Sequence, residues 1–326
     1  MRLVEVIALP ENLKNLPAIV TKLEVRKFWP AGGTQELAVY RILVEDEKTQ
    51  ELLDALQGVL GPDGNIVLFT PEAVLPQNVP SLETEKKAAA EKTTREELYQ
   101  EVEKGARYGS NFLLLVTLST FVASIGLLKD NVAVIIGAMV IAPLLGPNIA
   151  LALSTALGDT KLLWAAVKAN VIGLTLATAI AIVEGYLYPV SFTSHELMAR
   201  TDVGLDSVAL ALASGAAAAL SLTTGLSSVL VGVMVAVAIL PPAATMGIMI
   251  GAGQFDLAIG AALLLAVNIV SVNLSAKIVF IFKGIKPRTW LGSERAREST
   301  TVYMVLWLVS LAILIAIILM TRGGEG

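Results

Sequence analysis

Three asparagines, Asn170, Asn268 and Asn273, stand inside long apolar runs, and so do two proline-bearing stretches. A side-chain amide surrounded by hydrocarbon must find a partner, so its default task is a hydrogen bond between helices. The alternative is ligation, because amide, hydroxyl and backbone groups suit a small ion or a polar solute. The first proline stretch runs from Ala142 to Asn148 and holds Pro143, Gly146, Pro147 and Asn148; the second is Leu240 with Pro241 and Pro242. Proline removes a backbone donor and pushes the preceding residue out of the helical conformation. Breaks near the middle of two spans would leave carbonyls and amides that protein, water or a ligand must satisfy. The plain alternative is a pair of kinks that shape the packing. Asp159 and Asp256 stand at expected helix starts. There a carboxylate caps free amides, with ion binding as the other reading.

Other chemistry is sparse. Lys168 and Lys277 fall towards the expected cytoplasmic side and could snorkel to it, and Glu184 falls towards the outer end of its helix. The lack of a central carboxylate argues against a proton-coupled pump, whose relays need such groups. There is no cysteine, and the single histidine, His195, sits in an expected external loop. Thiolate and histidine metal sites are therefore not expected. No Gly-rich phosphate loop, HExxH motif or nucleophile elbow is present. The reading is of a protein that is not an enzyme and needs no metal or cofactor. A net charge of −4 without a long basic stretch gives no footprint for nucleic acid.

The elements that position these residues follow from an uneven composition. Of 326 residues, 55% are hydrophobic and 16% charged, against about 25% charged in ordinary soluble domains. Most of the charge lies in residues 1–107, and residues 108–282 are almost continuously apolar. A helix needs about 20 apolar residues to cross a hydrocarbon core. Candidate spans are 108–128, 131–157, 161–187, 206–223, 226–250, 257–281 and 301–321. The segment 206–223 is the weakest, being short and rich in Ala and Ser, a composition suited to a helix inside the bundle. Basic residues precede 108 and fill 283–297, so both segments are expected in the cytoplasm. Six spans between them satisfy that parity.

A shift of 95 positions reveals self-similarity. Val134, Gly137 and Met139 fall on Val229, Gly232 and Met234, and Pro147 falls on Pro242. Asp159 leads to Asn170 much as Asp256 leads to Asn268. Each copy, 108–187 and 206–281, holds three expected spans, so the second would run inverted. Inverted repeats with discontinuous helices are a recurring plan of secondary transporters.

Residues 1–80 read differently. Segments 2–8, 24–30, 36–45 and 65–69 have strand character, and 11–23 and 47–60 have helical spacing, with Pro17 set to kink or delay the first helix. The turn of the hairpin is expected at Pro30 to Gly33. This order is the split βαβ arrangement, open to both a sensing and an assembly role. Residues 81–107 form a charged linker with a helix over 93–103 and a capping box from Thr94 to Glu97. The start of the chain has no signal-peptide pattern, because Glu5 and Pro10 break its short apolar run.

The run from Val134 through Gly137, Met139, Ala142, Pro143, Gly146 and Pro147, preceded by Ala123 to Leu128, resembles the signature of the prokaryotic membrane-protein family catalogued as domain of unknown function 389. So does Ala238 to Pro242 with Asn268 downstream. The resemblance covers about residues 108–282. It implies a prokaryotic cytoplasmic (inner) membrane and no established activity.

The chain therefore reads as α+β overall. A multi-pass α-helical bundle of about seven spans, with inverted three-helix repeats and a final helix at 301–321, follows an N-terminal ferredoxin-like βαββαβ domain. The leading functional expectation is a homo-oligomeric transporter or channel for a small ion or polar solute. The alternative is a non-transporting signalling or scaffold protein whose cytoplasmic domain senses a ligand or partner. In either case the lipid bilayer is the expected surrounding.

Overall fold

The computed structural model describes residues 1–23, 25, 27–34, 37–60, 64–69, 71, 95–190, 192–224, 228–285 and 290–323. They form two compact units, Met1–Arg95 and Glu96–Gly326.

In the first unit, β1 (Arg2–Ala8) alternates buried and half-buried residues, as period-two patterning requires. α1 (Leu16–Lys22) starts late, with Pro17 in its first turn, where the missing N–H costs nothing. β2 (Lys27–Gly33), β3 (Ala38–Val44), α2 (Asp46–Leu60) and β4 (Asn65–Phe69) follow. The sheet is antiparallel throughout, in the order β2-β3-β1-β4. Val4, Val6, Ile42 and Val44 from the sheet meet Leu16, Val20, Leu52 and Leu56 from the helices in one core. The hairpin turn lies four residues beyond its expected place. Thr34 donates its N–H to the Leu37 carbonyl at 2.7 Å, and Pro30 to Gly33 belong to β2. The reason is local. Gly32 and Gly33 adopt φ of +124° and +153° beside a register shift after Pro30, so the glycines serve a bulge in an edge strand rather than a turn.

In the second unit, α3 (Arg95–Ala106) takes the place of the linker helix. The linker residues 81–94, including Thr94 of the expected capping box, lie outside the described residues. The apolar helices are α4 (Ser110–Leu128), α5 (Val132–Ile141), α6 (Leu145–Leu157), α7 (Thr160–Leu187), α9 (Leu205–Thr223), α10 (Ser228–Gly251), α11 (Phe255–Phe282) and α12 (Trp290–Gly323). Between α7 and α9 lies one turn, α8 (His195–Met198). Among the described residues five helices are long and apolar enough to cross a membrane, or six when α5 and α6 count as one bent span. The weakest candidate, at 206–223, is among the five. Basic-loop residues Lys286 and Arg288 lie outside the described residues.

Small residues set the closest approaches. α7 and α10 cross at Gly185, Gly247 and Gly251. A Cβ on Gly251 would meet Ile182 and Gly185 backbone, and one on Gly247 would stand 2.6 Å from the Thr178 carbonyl oxygen. This is the small-residue packing that membrane helices use where burial supplies no force between them. α11 packs against α9, α10 and α6. α12 is the most exposed, with 11% of its apolar window buried. It lays Leu311 and Ile318 against Val267, Val270 and Leu274 of α11.

The two proline stretches behave differently. At the first, Ala142 takes φ −66° and ψ +121°, the extended conformation that a following proline imposes. α5 and α6 then bend by 57°. Pro147 sits in the first turn of α6 and needs no donor there. At the second, α10 is continuous, with Pro241 and Pro242 inside it. The expected break there is absent. Ile239, Leu240, Ala243 and Ala244 are all fully buried, and packing on both sides of the prolines holds the helix despite two lost backbone bonds.

Candidate functional site

The bend after α5 brings three asparagines together. Asn148 lies in the first turn of α6, Asn170 midway along α7 and Asn273 in the second half of α11. Asn148 Nδ2 donates to Asn170 Oδ1 at 2.8 Å and to the Leu144 carbonyl at 3.0 Å. Asn273 Nδ2 donates to the Ile269 carbonyl at 2.8 Å and, more weakly, to Asn148 Oδ1 at 3.4 Å. Asn170 Nδ2 donates to the Ala166 carbonyl at 3.1 Å. Asn148 and Asn273 are fully buried and Asn170 nearly so.

Among these amides one buried oxygen has no partner at all. Each amide offers two donors and an oxygen with two lone pairs. Asn273 Oδ1 is buried and accepts nothing. The hydroxyls of Thr245 on α10 and Ser271 on α11 are also buried without a partner. A buried acceptor left unmade is costly. The cluster is therefore chemically able to take a donor or a cation, and it stands beside the opened backbone at Ala142 to Leu144.

The remaining sequence candidates fall as follows. Pro143 and Gly146 are half-buried at the bend, and Pro147 is buried. Pro241 and Pro242 are buried within α10. Asn268 is buried on α11. Five positions from Asn273, it sits about 140° round the helix axis from it, so one helix face does not present both. Asp159 caps α7 with Oδ1, which accepts from the amides of Lys161 and Leu162 at 2.9 and 3.0 Å. Asp256 lies in the first turn of α11, but Gln254 holds the cap position and makes no side-chain bond. The two carboxylates are thus not equivalent. Lys277 does not snorkel: it is fully buried, with Nζ 5.7 Å from the centre of the Tyr303 ring. Lys168 is exposed, and so is His195, the first residue of α8.

Two features escaped sequence reasoning. Glu184 is 4% exposed, whereas its sequence position gives only its height along α7. Its standing as the lone acid within a long apolar run was the available signal. The second is the seat of α3. Leu98, Val102 and Ala106 enter the same core as Leu144, Ile149 and Leu153. Gly105 meets Gly146 backbone to backbone: a Cβ on Gly105 would stand 3.0 Å from Gly146 Cα. Tyr99 Oη donates to Asp159 Oδ2 at 2.6 Å. One carboxylate thus caps the helix carrying Asn170 and grips the helix that precedes the bundle. Replacing Tyr99 with Phe should loosen α3. Hydrogen exchange of its amides is expected to quicken about tenfold, the worth of one hydrogen bond to a charged acceptor. Asp159→Ala, which also loses the cap, should extend the effect into the first turn of α7.

The family profile named Domain of unknown function (DUF389) matches residues 139–274, the stretch from the end of α5 to the Asn273 region of α11. An uncharacterized protein of the archaeon Methanocaldococcus jannaschii is 36% identical over 288 residues, covering 88% of each chain. The chain belongs to the DUF389 family. All three asparagines of the cluster lie within the matched DUF389 segment. No solved structure matches.

Proposed function

We propose that this DUF389 protein is a membrane transporter or channel for a small ion or polar solute, with its pathway at the bend between α5 and α6. The observation that carries the reading is the buried Asn148–Asn170–Asn273 cluster with the unfilled acceptor on Asn273. An orphan acceptor beside interrupted backbone, deep among apolar helices, suits a guest that brings a donor or a positive charge.

The wider reading follows the same lines. The strand order β2-β3-β1-β4 supports a ferredoxin-like fold for the first unit. The triplets α4 to α7 and α9 to α11 support an internal repeat and seven spans when α10 is counted. The basic residues flanking them support a cytoplasmic N-terminal domain in an inner membrane. The seating of α3 against Gly146 and Asp159 supports a regulatory role for the segment that leads into the bundle. We take the assembly to be a homo-oligomer in the lipid bilayer, without nucleic-acid partners or enzymatic activity.

The test is flux in proteoliposomes over a panel of monovalent ions and small polar solutes, with Pro147→Ala and Asn170→Ala as controls. Transport of at least one solute that falls at least tenfold in Asn170→Ala is the expected result. Flux absent across the panel, or equal in both variants and the parent, favours the signalling or scaffold reading.

A further inference from the structure

Glu184 lies in the last two turns of α7, away from the asparagine cluster in the middle of that helix. It is 4% exposed, and its Oε2 is fully buried with no hydrogen-bond partner. Its polar neighbour is Ser124 of α4, whose hydroxyl is also buried and completes no bond of its own. On the same stretches of α7 and α4, Ala181 and Leu127 belong to an apolar cluster with Ile135, Leu197 and Ile248. A carboxylate and a hydroxyl, both buried and neither completing a hydrogen bond at Oε2 or Oγ, are thus brought together beside hydrocarbon.

Charge balance makes this arrangement incomplete. A carboxylate taken from water without a counter-charge is strongly disfavoured. The helices packed against α7, namely α4, α6 and α10, carry no charged residue. At the end of α4, Lys129 and Asp130 are exposed. On the neighbouring turn α8, Glu196 is paired with Arg200 at 2.9 Å, and His195 is exposed. On α7 itself, Lys161 and Lys168 are exposed and lie at the far end or middle of the helix. Among the described residues no basic group forms an ion pair with Glu184. Among the described residues, none supplies the balancing charge.

We infer that Glu184 and Ser124 form a binding site for one exchangeable monovalent cation, a proton or an alkali-metal ion, in the last turns of α7. The carboxylate supplies the charge and the serine hydroxyl turns its oxygen to the same guest. A proton would sit on Glu184 and be shared with Ser124 Oγ. An alkali-metal ion would take both oxygens. The site is separate from the asparagine cluster and needs only that the helices lie in a membrane. The flux assay above can fail while this site holds.

The experiment is difference infrared spectroscopy on the full chain in lipid nanodiscs. In one arm pH is titrated in choline buffer; in the other, sodium or potassium replaces choline at constant pH. Carboxyl bands lost in Glu184→Gln are assigned to Glu184. Ser124→Ala shifts the same bands and so assigns them even where Glu184→Gln does not fold. Interchange of the acid and carboxylate bands in the first arm identifies a proton. A shift of the carboxylate bands in the second arm identifies an alkali-metal ion. Ser124→Ala should change the apparent affinity about tenfold, the effect of one hydrogen bond to a charged group. Glu184 bands that respond in neither arm, or that Ser124→Ala leaves untouched, overturn the site.

Discussion

Gly251→Leu is expected to abolish folding of the bundle. The position has no room for a side chain, since even a Cβ would stand 2.8 Å from the Tyr186 amide nitrogen and 3.0 Å from the Gly185 carbonyl carbon. These are backbone atoms of a long helix and cannot swing aside. Gly185 faces Ile248 backbone in the same way, so the two glycines form one contact from opposite sides. Opening the crossing by the width of a leucine would separate α7 from α10 along several turns and detach Gly247 from Ala181. Overpacking alone costs about 1–3 kcal/mol where side chains can adjust, and here none can. The measurement is the monodisperse fraction after detergent extraction, which should collapse for Gly251→Leu. Gly137→Leu is the matched control, because nothing lies within 4 Å of a Cβ there. It should leave extraction unchanged.

Asn148→Leu is expected to have the largest effect on the site. Asn148 is the hub: its Nδ2 serves Asn170, and its Oδ1 accepts from Asn273. Leucine keeps the branched outline with methyls in place of the amide oxygen and nitrogen, so Asn170 Oδ1 loses its donor and Asn273 a second acceptor. Interhelical bonds in membranes average about 0.6 kcal/mol and reach about 1.7, and each newly orphaned buried group adds about 1–3. A loss of about 2 kcal/mol in equilibrium unfolding is expected, with flux of the parent's solute abolished. Asn170→Leu removes one end of the chain rather than its centre and should cost about half as much. Equal losses in the two variants would show that Asn148 is not the hub.

Much of this was legible in the sequence, for a reason particular to membranes. Apolar runs must match hydrocarbon thickness, so helix ends could be read from composition to within a few residues, as at α4, α7 and α11. Which way a side chain faces was not legible. Helices apolar on every side carry no periodicity that marks a buried face. Glu184 therefore looked like a residue near an end, and Lys277 like one free to reach out, whereas neighbouring helices enclose both. The prolines teach the same point. Pro143 and Pro241 obey one local rule, yet only Pro143 breaks its helix. The proline rule alone does not separate them, and both sites are flanked by buried residues, so the difference comes from how distant sequence packs around each. The asparagines were identified by type and depth. Their grouping as 148, 170 and 273 depended on the bend, and the internal likeness of Asn170 to Asn268 pointed to a different partner.

The unlike fate of the two proline stretches also has a mechanical consequence. α10 is an unbroken rod, clamped to α7 through backbone contacts at its C-terminal half. The matching span is two short rods joined at Ala142 to Leu144. Bending stiffness in such a pair is concentrated on one side, and compliance on the other. A force arriving through α3 at Gly146 acts next to the joint, at the near end of the longer rod. The bundle is built with a fixed strut and a single elbow, so its two faces are expected to open unequally.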